Sequence, residues 1–153
     1  MSETVPGIRV NFDHDPVCLL TYPETIEVED VSRMFVDVRR FCGGRRDCAL
    51  LIDMRAFDAM SVGRKKRQEI ARNMSSSLKE HGDFFVCEAR IVSSTLVRGF
   101  MTVFDWSAPM DWPQRNFGNC RVAEQWICAE LTKAGVACPG PIFPTPSSTT
   151  DQA

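Results

Sequence analysis

The pattern of hydrophobic and polar positions divides the chain into short β-rich runs separated by amphipathic segments. The most apolar run occupies residues 48–52, Cys-Ala-Leu-Leu-Ile, and is followed by Asp53. Because apolar residues point to both faces of such a strand, both faces must be covered, as in a central strand between layers of helices. Asp53 then lies at the carboxyl end of the strand, the sheet edge at which ligands and partners usually bind.

Other runs complete the pattern of a sheet. Residues 8–12 and 17–22 are β-rich, and the Asp and Pro residues between them predict a hairpin at the sheet edge. Further strands are predicted at residues 84–92 and 114–117. Apolar residues three and four positions apart predict amphipathic helices at residues 28–42, 61–81, 96–106 and 120–134.

This order, β-β-α-β-α-β-α-β-α, predicts the α/β class, with a single mostly parallel sheet, an antiparallel edge hairpin and about four helices. The predicted domain spans residues 8–135. Residues 1–7 are predicted to be a flexible N-terminus, and residues 136–153, rich in Pro, Ser and Thr, a disordered tail.

Composition excludes several classes of function. With 18 basic and 20 acidic residues the net charge is −2, which does not favour nucleic acid as a partner. No run approaches the ~18 apolar residues of a membrane span, and the first residues do not form a secretory signal. The seven cysteines are odd in number and form no C-x-x-C pair, so we expect free thiols in a reducing cytoplasm.

The sequence shows no catalytic or metal-binding set. His14 lies in the predicted hairpin turn and His81 near a helix end, and neither has a Cys or Ser placed to form a catalytic pair. Neither H-E-x-x-H nor paired C-x-x-C spacing is present. We therefore predict a protein that is not an enzyme and that uses no cofactor and no metal.

A basic cluster lies in the first turn of the second predicted helix: Arg64, Lys65, Lys66 and Arg67. Positive charge there opposes the helix macrodipole and costs a few tenths of a kcal/mol per residue. A cluster placed against this preference, beside free backbone N–H groups, indicates a site for an anion or for an acidic partner surface. The alternative is a solvated face that keeps the protein soluble. Ser61 is the predicted N-cap of this helix.

Two aspartates near the same loop are candidate contacts. Asp53 is expected to accept hydrogen bonds from backbone amides of the loop that follows it, and a ligand contact is the alternative. Arg98, at the start of the third helix, is expected to pair with a carboxylate or to face solvent. Asp53 and Asp58 are its candidate partners.

Apolar residues of the third helix and of the proline-rich segment after it allow two interpretations. They form either an exposed groove for an acyl chain or a partner helix, or a core cluster under the proline-rich loop. The candidate groove residues are Phe100, Met101, Phe104, Trp106 and Trp112.

The order of several short motifs resembles a known family. The motifs are Leu50-Leu51-Ile52-Asp53, Leu96-Val97-Arg98-Gly99, Trp106 with Pro113-Gln114-Arg115-Asn116-Phe117, and Ala123-Glu124-Gln125-Trp126-Ile127. Together they resemble the STAS family (sulfate transporter and anti-sigma-factor antagonist), in the variant of bacterial stand-alone domains related to lipid-transfer CRAL-TRIO folds. The resemblance covers residues 8–133.

The resemblance implies regulation by binding. In anti-sigma-factor antagonists a partner kinase phosphorylates a serine at the start of the helix after the central strand, and Ser61 occupies about that place. The family signature Asp-Ser-[Ser/Thr]-Gly is replaced here by Asp-Ala-Met-Ser-Val-Gly at residues 58–63. A phosphate at a helix N-terminus is favourable, so the chemistry of such a switch is available.

The functional prediction is therefore a non-catalytic regulatory or protein-interaction module whose partner is a regulator or kinase. Its expected contact residues are Asp53, Asp58, Ser61, Arg64, Lys65, Lys66 and Arg67. The alternative is a carrier for a small apolar or anionic molecule or a lipid, with a pocket beside the third helix. A carrier requires a continuous closed apolar cavity, whereas a switch module requires a filled core and an exposed Ser61 beside the basic cluster.

Overall fold

The computed structural model describes residues 7–81, 84–107 and 110–144, and of residues 78–81, 103, 104, 106 and 107 the backbone only. A short 3₁₀ turn at Ala59–Ser61 precedes the second helix. The elements are β1 (Arg9–His14), β2 (Val17–Thr21), α1 (Val28–Cys42), β3 (Ala49–Asp53), α2 (Arg64–His81), β4 (Glu88–Ile91), α3 (Thr95–Ser107), β5 (Gln114–Phe117) and α4 (Cys120–Lys133). The predicted class and order are confirmed.

The five strands lie in one sheet in the same order as in the chain, β1-β2-β3-β4-β5. β1 and β2 are antiparallel, and the remaining neighbours are parallel, as the sequence pattern predicts. The register places Thr21, Asp53, Ile91 and Phe117 side by side at the carboxyl edge. The loops after β2, β3, β4 and β5 therefore leave the sheet together.

The consecutive strand order decides which helices share a face. Parallel crossovers are right-handed as a rule, and here each adds its strand on the same side of the sheet, which places α1, α2 and α3 on one face. The last helix, α4, follows β5 and packs on the other face. The packing agrees with this, because the buried residues form two clusters separated by the sheet. One contains Leu50 and Ile52 of β3 with the buried residues of α1, α2 and α3; the other contains Ala49 and Leu51 with those of α4.

Local chemistry explains where the helices begin and end. The Glu27 amide donates to Asp30 Oδ2 (2.8 Å) at the start of α1, and α1 ends at Gly43 and Gly44, the latter with φ of 80°. Asn119 Oδ1 accepts from the amides of Arg121 (2.8 Å) and Val122 (3.2 Å) and so caps α4. The stop at Gly43 and Gly44 and the cap at Asn119 fall where the sequence predicts them, whereas the cap at Glu27 is an addition from the structure.

The segment after α4 packs against the same face of the sheet as the helix. A helix ~10 Å wide covers about two strands spaced ~4.8 Å apart, so α4 alone leaves part of this face open. Val136, Ile142 and Phe143 pack against the α4 cluster, and Glu124 Oε1 accepts from the amides of Ile142 (3.1 Å) and Phe143 (2.6 Å). Residues 145–153 lie outside the described residues, and the division of the chain at residue 135 stays a prediction.

Cys128 of α4 and Cys138 form a disulfide, with Cα atoms 5.2 Å apart. The prediction that all the thiols are free is wrong for this pair. The chain reverses at Gly135, which has φ of 75°, and the Val136 amide donates to the Leu131 carbonyl (2.9 Å). This turn brings Cys138 back beside α4, a contact that cysteine spacing alone does not reveal. The free thiols are Cys18, Cys42, Cys48, Cys87 and Cys120.

No described helix combines the length and the apolar character that a membrane crossing would need.

Candidate functional site

Asp53 ends β3 and holds the loop that follows it. Its Oδ1 accepts from the Arg55 amide (3.1 Å) and from Arg55 Nε (2.9 Å), and its Oδ2 accepts from Arg55 Nη2 (2.8 Å). The Arg55 partner is a side chain that the sequence pattern does not single out. This arrangement is the loop-capping role that we expect of a strand-end aspartate.

The environment of Asp53 keeps its carboxylate charged. Burial by itself would raise the pKa of Asp53, but the hydrogen bonds from the side chain and amide of Arg55 outweigh it and lower the pKa below the ordinary value. Along β3, Ala49 and Leu51 point to the α4 face, so Asp53 points there too. Cys120 at the start of α4 interacts electrostatically with both Asp53 and Arg55.

The 3₁₀ turn holds Ser61 at the surface. Asp58 Oδ1 accepts from the Met60 amide (3.0 Å), so Asp58 caps this turn, and the Asp58 amide donates to the Glu24 carbonyl (2.8 Å). Ser61 is exposed, and its Oγ donates to the carbonyls of Asp58 (2.6 Å) and Glu24 (3.4 Å). The prediction that Ser61 is the N-cap of α2 is wrong, because Asp58 starts a turn first and α2 begins only at Arg64.

The basic cluster occupies the first turn of α2, as predicted. Lys66 Nζ pairs with Glu27 (2.9 Å), and the Arg67 guanidinium lies over the Phe100 ring at 5.9 Å. Arg64 and Lys65 are exposed, and they have no ion-pair partner within the part of the chain that the structure describes. Two cations are therefore free to meet an anion, whereas the other two are held by the fold.

The 3₁₀ turn and α3 contact each other, and each carries a large exposed apolar side chain. Met60 is 74% exposed and Leu96, at the start of α3, is 62% exposed. Arg98 on the same helix faces solvent, which is one of its two expected environments. Asp53 binds Arg55 instead of Arg98, and Asp58 uses a carboxylate oxygen for its turn.

The candidate site residues therefore fall into two groups. Asp58, Ser61 and the basic cluster surround the start of α2, on the face that carries α1 to α3. Asp53 lies on the α4 face with Arg55 and is only 7% exposed. The sheet edge brings their backbones together, but the side chain of Asp53 does not belong to the exposed surface around Ser61.

The candidate groove is largely core where the structure describes it. Trp112 is buried, donates from Nε1 to Glu88 Oε1 (3.2 Å), and meets the Phe85 ring edge-on at 5.1 Å. Met101 is buried as well, and Phe100 is partly buried against the Phe57 ring. The side chains of Phe104 and Trp106 lie outside the described residues.

The space left inside this cluster is small. A cavity of about 50 Å³ lies between β2, β3 and β4 and the three helices on that face. Sites for drug-sized ligands usually have ~300–1,000 Å³, and one water needs ~10–15 Å³. A larger groove of about 950 Å³ lies on the other face, between the start of α4 and residues 139–144. The filled core is the arrangement that we expect of an interaction module, and the carrier alternative is not favoured.

A buried ion network supports α3 against the sheet, and the sequence reasoning did not identify it. Arg90 is 2% exposed; its Nε donates to Glu88 Oε2 (2.7 Å) and its Nη1 donates to Asp105 Oδ2 (2.9 Å). Burial would lower the pKa of Arg90, but these two carboxylates raise it, so the guanidinium stays charged. The available signal is the pair of opposite charges two positions apart in a strand, since residues i and i+2 share a face.

No cluster of three His, Cys, Asp or Glu side chains in residues 7–81, 84–107 and 110–144 could hold a metal ion. The candidate site thus consists of an exposed hydroxyl, two cations without an ion-pair partner among the described residues, and two exposed apolar side chains. Such a set can bind an anion or an acidic surface.

The fold is similar to a solved structure. That structure is an uncharacterised protein of the DUF3478 family from Shewanella loihica PV-4, described as having a SpoIIAA-like fold; the TM-score is 0.58 and the identity 21%, over 84% of this chain and 99% of that chain. No family model and no curated protein matches the sequence. The SpoIIAA-like fold is the STAS fold, so the fold implied by the sequence resemblance is confirmed.

Proposed function

We propose, on the premise of the SpoIIAA-like fold, that this protein is a non-catalytic interaction module of STAS type. It acts in the cytoplasm and binds a protein partner through the surface around the start of α2. The observation that supports this is the exposed Ser61 hydroxyl beside the unpaired cations Arg64 and Lys65. We call Asp58, Met60, Ser61, Arg64 and Lys65 the switch surface.

The proposed control is phosphorylation of Ser61 by a partner kinase. The Ser61 hydroxyl now donates to the Asp58 carbonyl, and a phosphate would replace this donor with acceptor oxygens and about −2 charge. Arg64 and Lys65 lie three and four residues further along, at the start of α2, where the first N–H groups of a helix have no intrahelical partner. The phosphate would therefore cancel the charge of Arg64 and Lys65. With Asp58 counted, the net charge of the switch surface would change from positive to negative.

The unmodified switch surface favours an acidic partner with an apolar contact. Its two cations, Arg64 and Lys65, outnumber its one carboxylate, Asp58; the first turn of α2 carries no acidic residue, and Met60 supplies exposed apolar area. Charge complementarity of this kind increases the association rate and discriminates against basic partners. Asp53 contributes indirectly in this proposal, because its bonds with Arg55 hold the first part of the loop.

The test begins with identification of the partner. A photo-cross-linking residue at position 60 captures the partner in cells, since Met60 projects into solvent. We expect Ser61→Asp to change the dissociation constant of the purified pair by about tenfold or more. Ser76→Asp, at an exposed position of α2 away from the switch surface, is the control and should change it little.

A second pair of variants tests the cations. Arg64→Glu with Lys65→Glu should weaken binding, whereas Arg72→Glu with Arg121→Glu makes the same change of charge at exposed positions elsewhere and should not. Equal dissociation constants for the wild type, Ser61→Asp and the Arg64/Lys65 double variant would refute the proposed surface. Loss of binding with both double variants would indicate attraction by net charge alone.

A further inference from the structure

The segment that follows α4 is held at three points. We call residues 138–144 the strap. The Cys128–Cys138 disulfide fixes its first residue to α4. Glu124 Oε1 accepts from the amides of Ile142 (3.1 Å) and Phe143 (2.6 Å), which fixes its middle.

The third point connects the strap to the carboxyl edge of the sheet. The Phe143 ring lies under the Arg55 guanidinium, 5.3 Å from ring centroid to carbon, and Arg55 is the side chain that binds Asp53. Ile142 and Phe143 are both partly buried against the α4 cluster. The strap therefore covers apolar surface and also restricts Arg55.

The disulfide is the only covalent attachment among these contacts within the described residues, and it is accessible to reductants. The Cys138 residue is exposed and Cys128 is partly exposed. The Cα separation of 5.2 Å lies within the range of ordinary disulfides. The remaining attachments are two hydrogen bonds to one carboxylate and one ring contact.

We propose that the Cys128–Cys138 disulfide is a redox latch for the strap. In the oxidised protein the strap lies against Glu124 and Arg55. Reduction releases it, which exposes Ile142 and Phe143 and removes the Phe143 ring from the half-exposed Arg55 guanidinium. This control is separate from the switch surface, because the strap lies on the α4 face and Ser61 on the face of the other three helices.

The step requires a dithiol reductant. One thiolate of the reductant attacks Cys138 Sγ, and Cys128 leaves as a thiolate that then takes up a proton. The second thiol of the reductant displaces Cys138 from the mixed disulfide, and Cys138 takes up a proton in turn. The protein gains two electrons and two protons, and the reductant becomes a cyclic disulfide. In a reducing compartment disulfides that form are usually transient and redox-sensing, which suits a latch.

Peptide mapping tests the bond directly. Trypsin cleaves after Arg121 and Lys133, so Cys128 and Cys138 fall in separate peptides, 122–133 and 134–153, each with a single cysteine. We expect these peptides to be linked in full-length protein equilibrated with oxidised glutathione and separate after dithiothreitol. Alkylation of both cysteines in the oxidised sample would overturn the proposal.

Hydrogen exchange tests release of the strap. We expect the amides of Ile142 and Phe143 to exchange about tenfold faster or more in the reduced protein and in the Cys128→Ser/Cys138→Ser variant. Cys120→Ser is the matched control, because it changes a cysteine of the same helix and keeps the latch. The Leu50 amide, bonded to the Cys87 carbonyl (3.0 Å), reports the sheet and should not change.

These exchange rates distinguish a latch from a disulfide that stabilises the whole fold. Faster exchange confined to the strap supports a latch. Equal exchange of Ile142 and Phe143 in the oxidised and reduced protein overturns it, and so does faster exchange that extends to Leu50, because the disulfide would then stabilise the whole fold. Glu124→Ala should accelerate exchange of both strap amides even in the oxidised protein, which verifies that these amides report the contact.

Discussion

At the scale of single residues, Arg90 shows how one buried charge organises its neighbourhood. Its guanidinium connects Glu88 of the same strand with Asp105 of α3, and Trp112 completes the network by donating to Glu88. Burial of Glu88 and Arg90 is tolerated because each is paired, with the partly exposed Asp105 as the second partner of Arg90, and removal of Arg90 leaves the buried Glu88 uncompensated.

We expect Arg90→Met to lower the free energy of unfolding by about 3–5 kcal/mol, because two carboxylates then lack their cation. Arg115→Met on the neighbouring strand is the control, since Arg115 is exposed, and we expect a change of about 1 kcal/mol or less there. Urea unfolding at neutral pH measures both. A cost for Arg90→Met no larger than that of the control would contradict a stabilising role for the network.

A second prediction concerns Asp53 and acid. Its folded pKa lies below the ordinary value, so the bond with Arg55 contributes stability above the unfolded pKa of about 3.9, and this is lost as pH falls through the folded pKa. The stability difference between the wild type and Asp53→Asn should therefore be largest near pH 7 and shrink below about pH 4. Urea unfolding over this range tests it. Asp13→Asn, at an exposed position of β1, is the control.

At the scale of elements, α4 is the only described helix that packs on its face of the sheet, so the core on that face depends on it. Asn119→Ala removes the acceptor for two amides at its start and should lower the free energy of unfolding by about 1 kcal/mol. Asn119→Asp keeps the acceptor and should restore most of the loss. The alternative result is faster hydrogen exchange of the strap amides, which bond to Glu124 near the start of α4, with an unchanged free energy of unfolding. It would show that the first turn of α4 unfolds independently of the rest.

The elements could be predicted because their signals are local. Strands and helices follow from the apolar period, and the caps Asn119 and Ser94 follow from side chains within three residues of the amides that they accept from. The start of α2 is different. Asp58 begins a turn that is tied to the Glu24 carbonyl, more than thirty residues away, and Ser61 is drawn into it.

The candidate site was predictable only in part for the same reason. The exposed cations Arg64 and Lys65 follow from helix position, but the pairing of Lys66 with Glu27 depends on where α1 and α2 meet. Likewise the contact of Phe143 with Arg55 depends on a chain reversal after α4. Such contacts join segments that are far apart in the sequence, and the local pattern of residues does not show which of these segments meet in the fold.

At the scale of the molecule, the core on the α1–α3 face leaves little room. We expect native and denaturing mass spectra of the purified protein to give the same mass, because a phosphate or the disulfide is covalent and contributes equally to both. A cavity of about 50 Å³ is too small for an acyl chain. An organic molecule retained only in the native spectrum would contradict this and support a carrier.

The consecutive strand order has a consequence for the order of events during synthesis. Each strand after the first pairs with the strand that precedes it in the sequence. The nascent chain can therefore extend the sheet one strand at a time as it leaves the ribosome. The sheet face that α4 covers is the last to be buried, because α4 is synthesised after all five strands. Until Leu131 has emerged, Leu51, Ala89 and Ile91 lack their helix, and this interval is when the nascent protein is most exposed to aggregation and most dependent on chaperones.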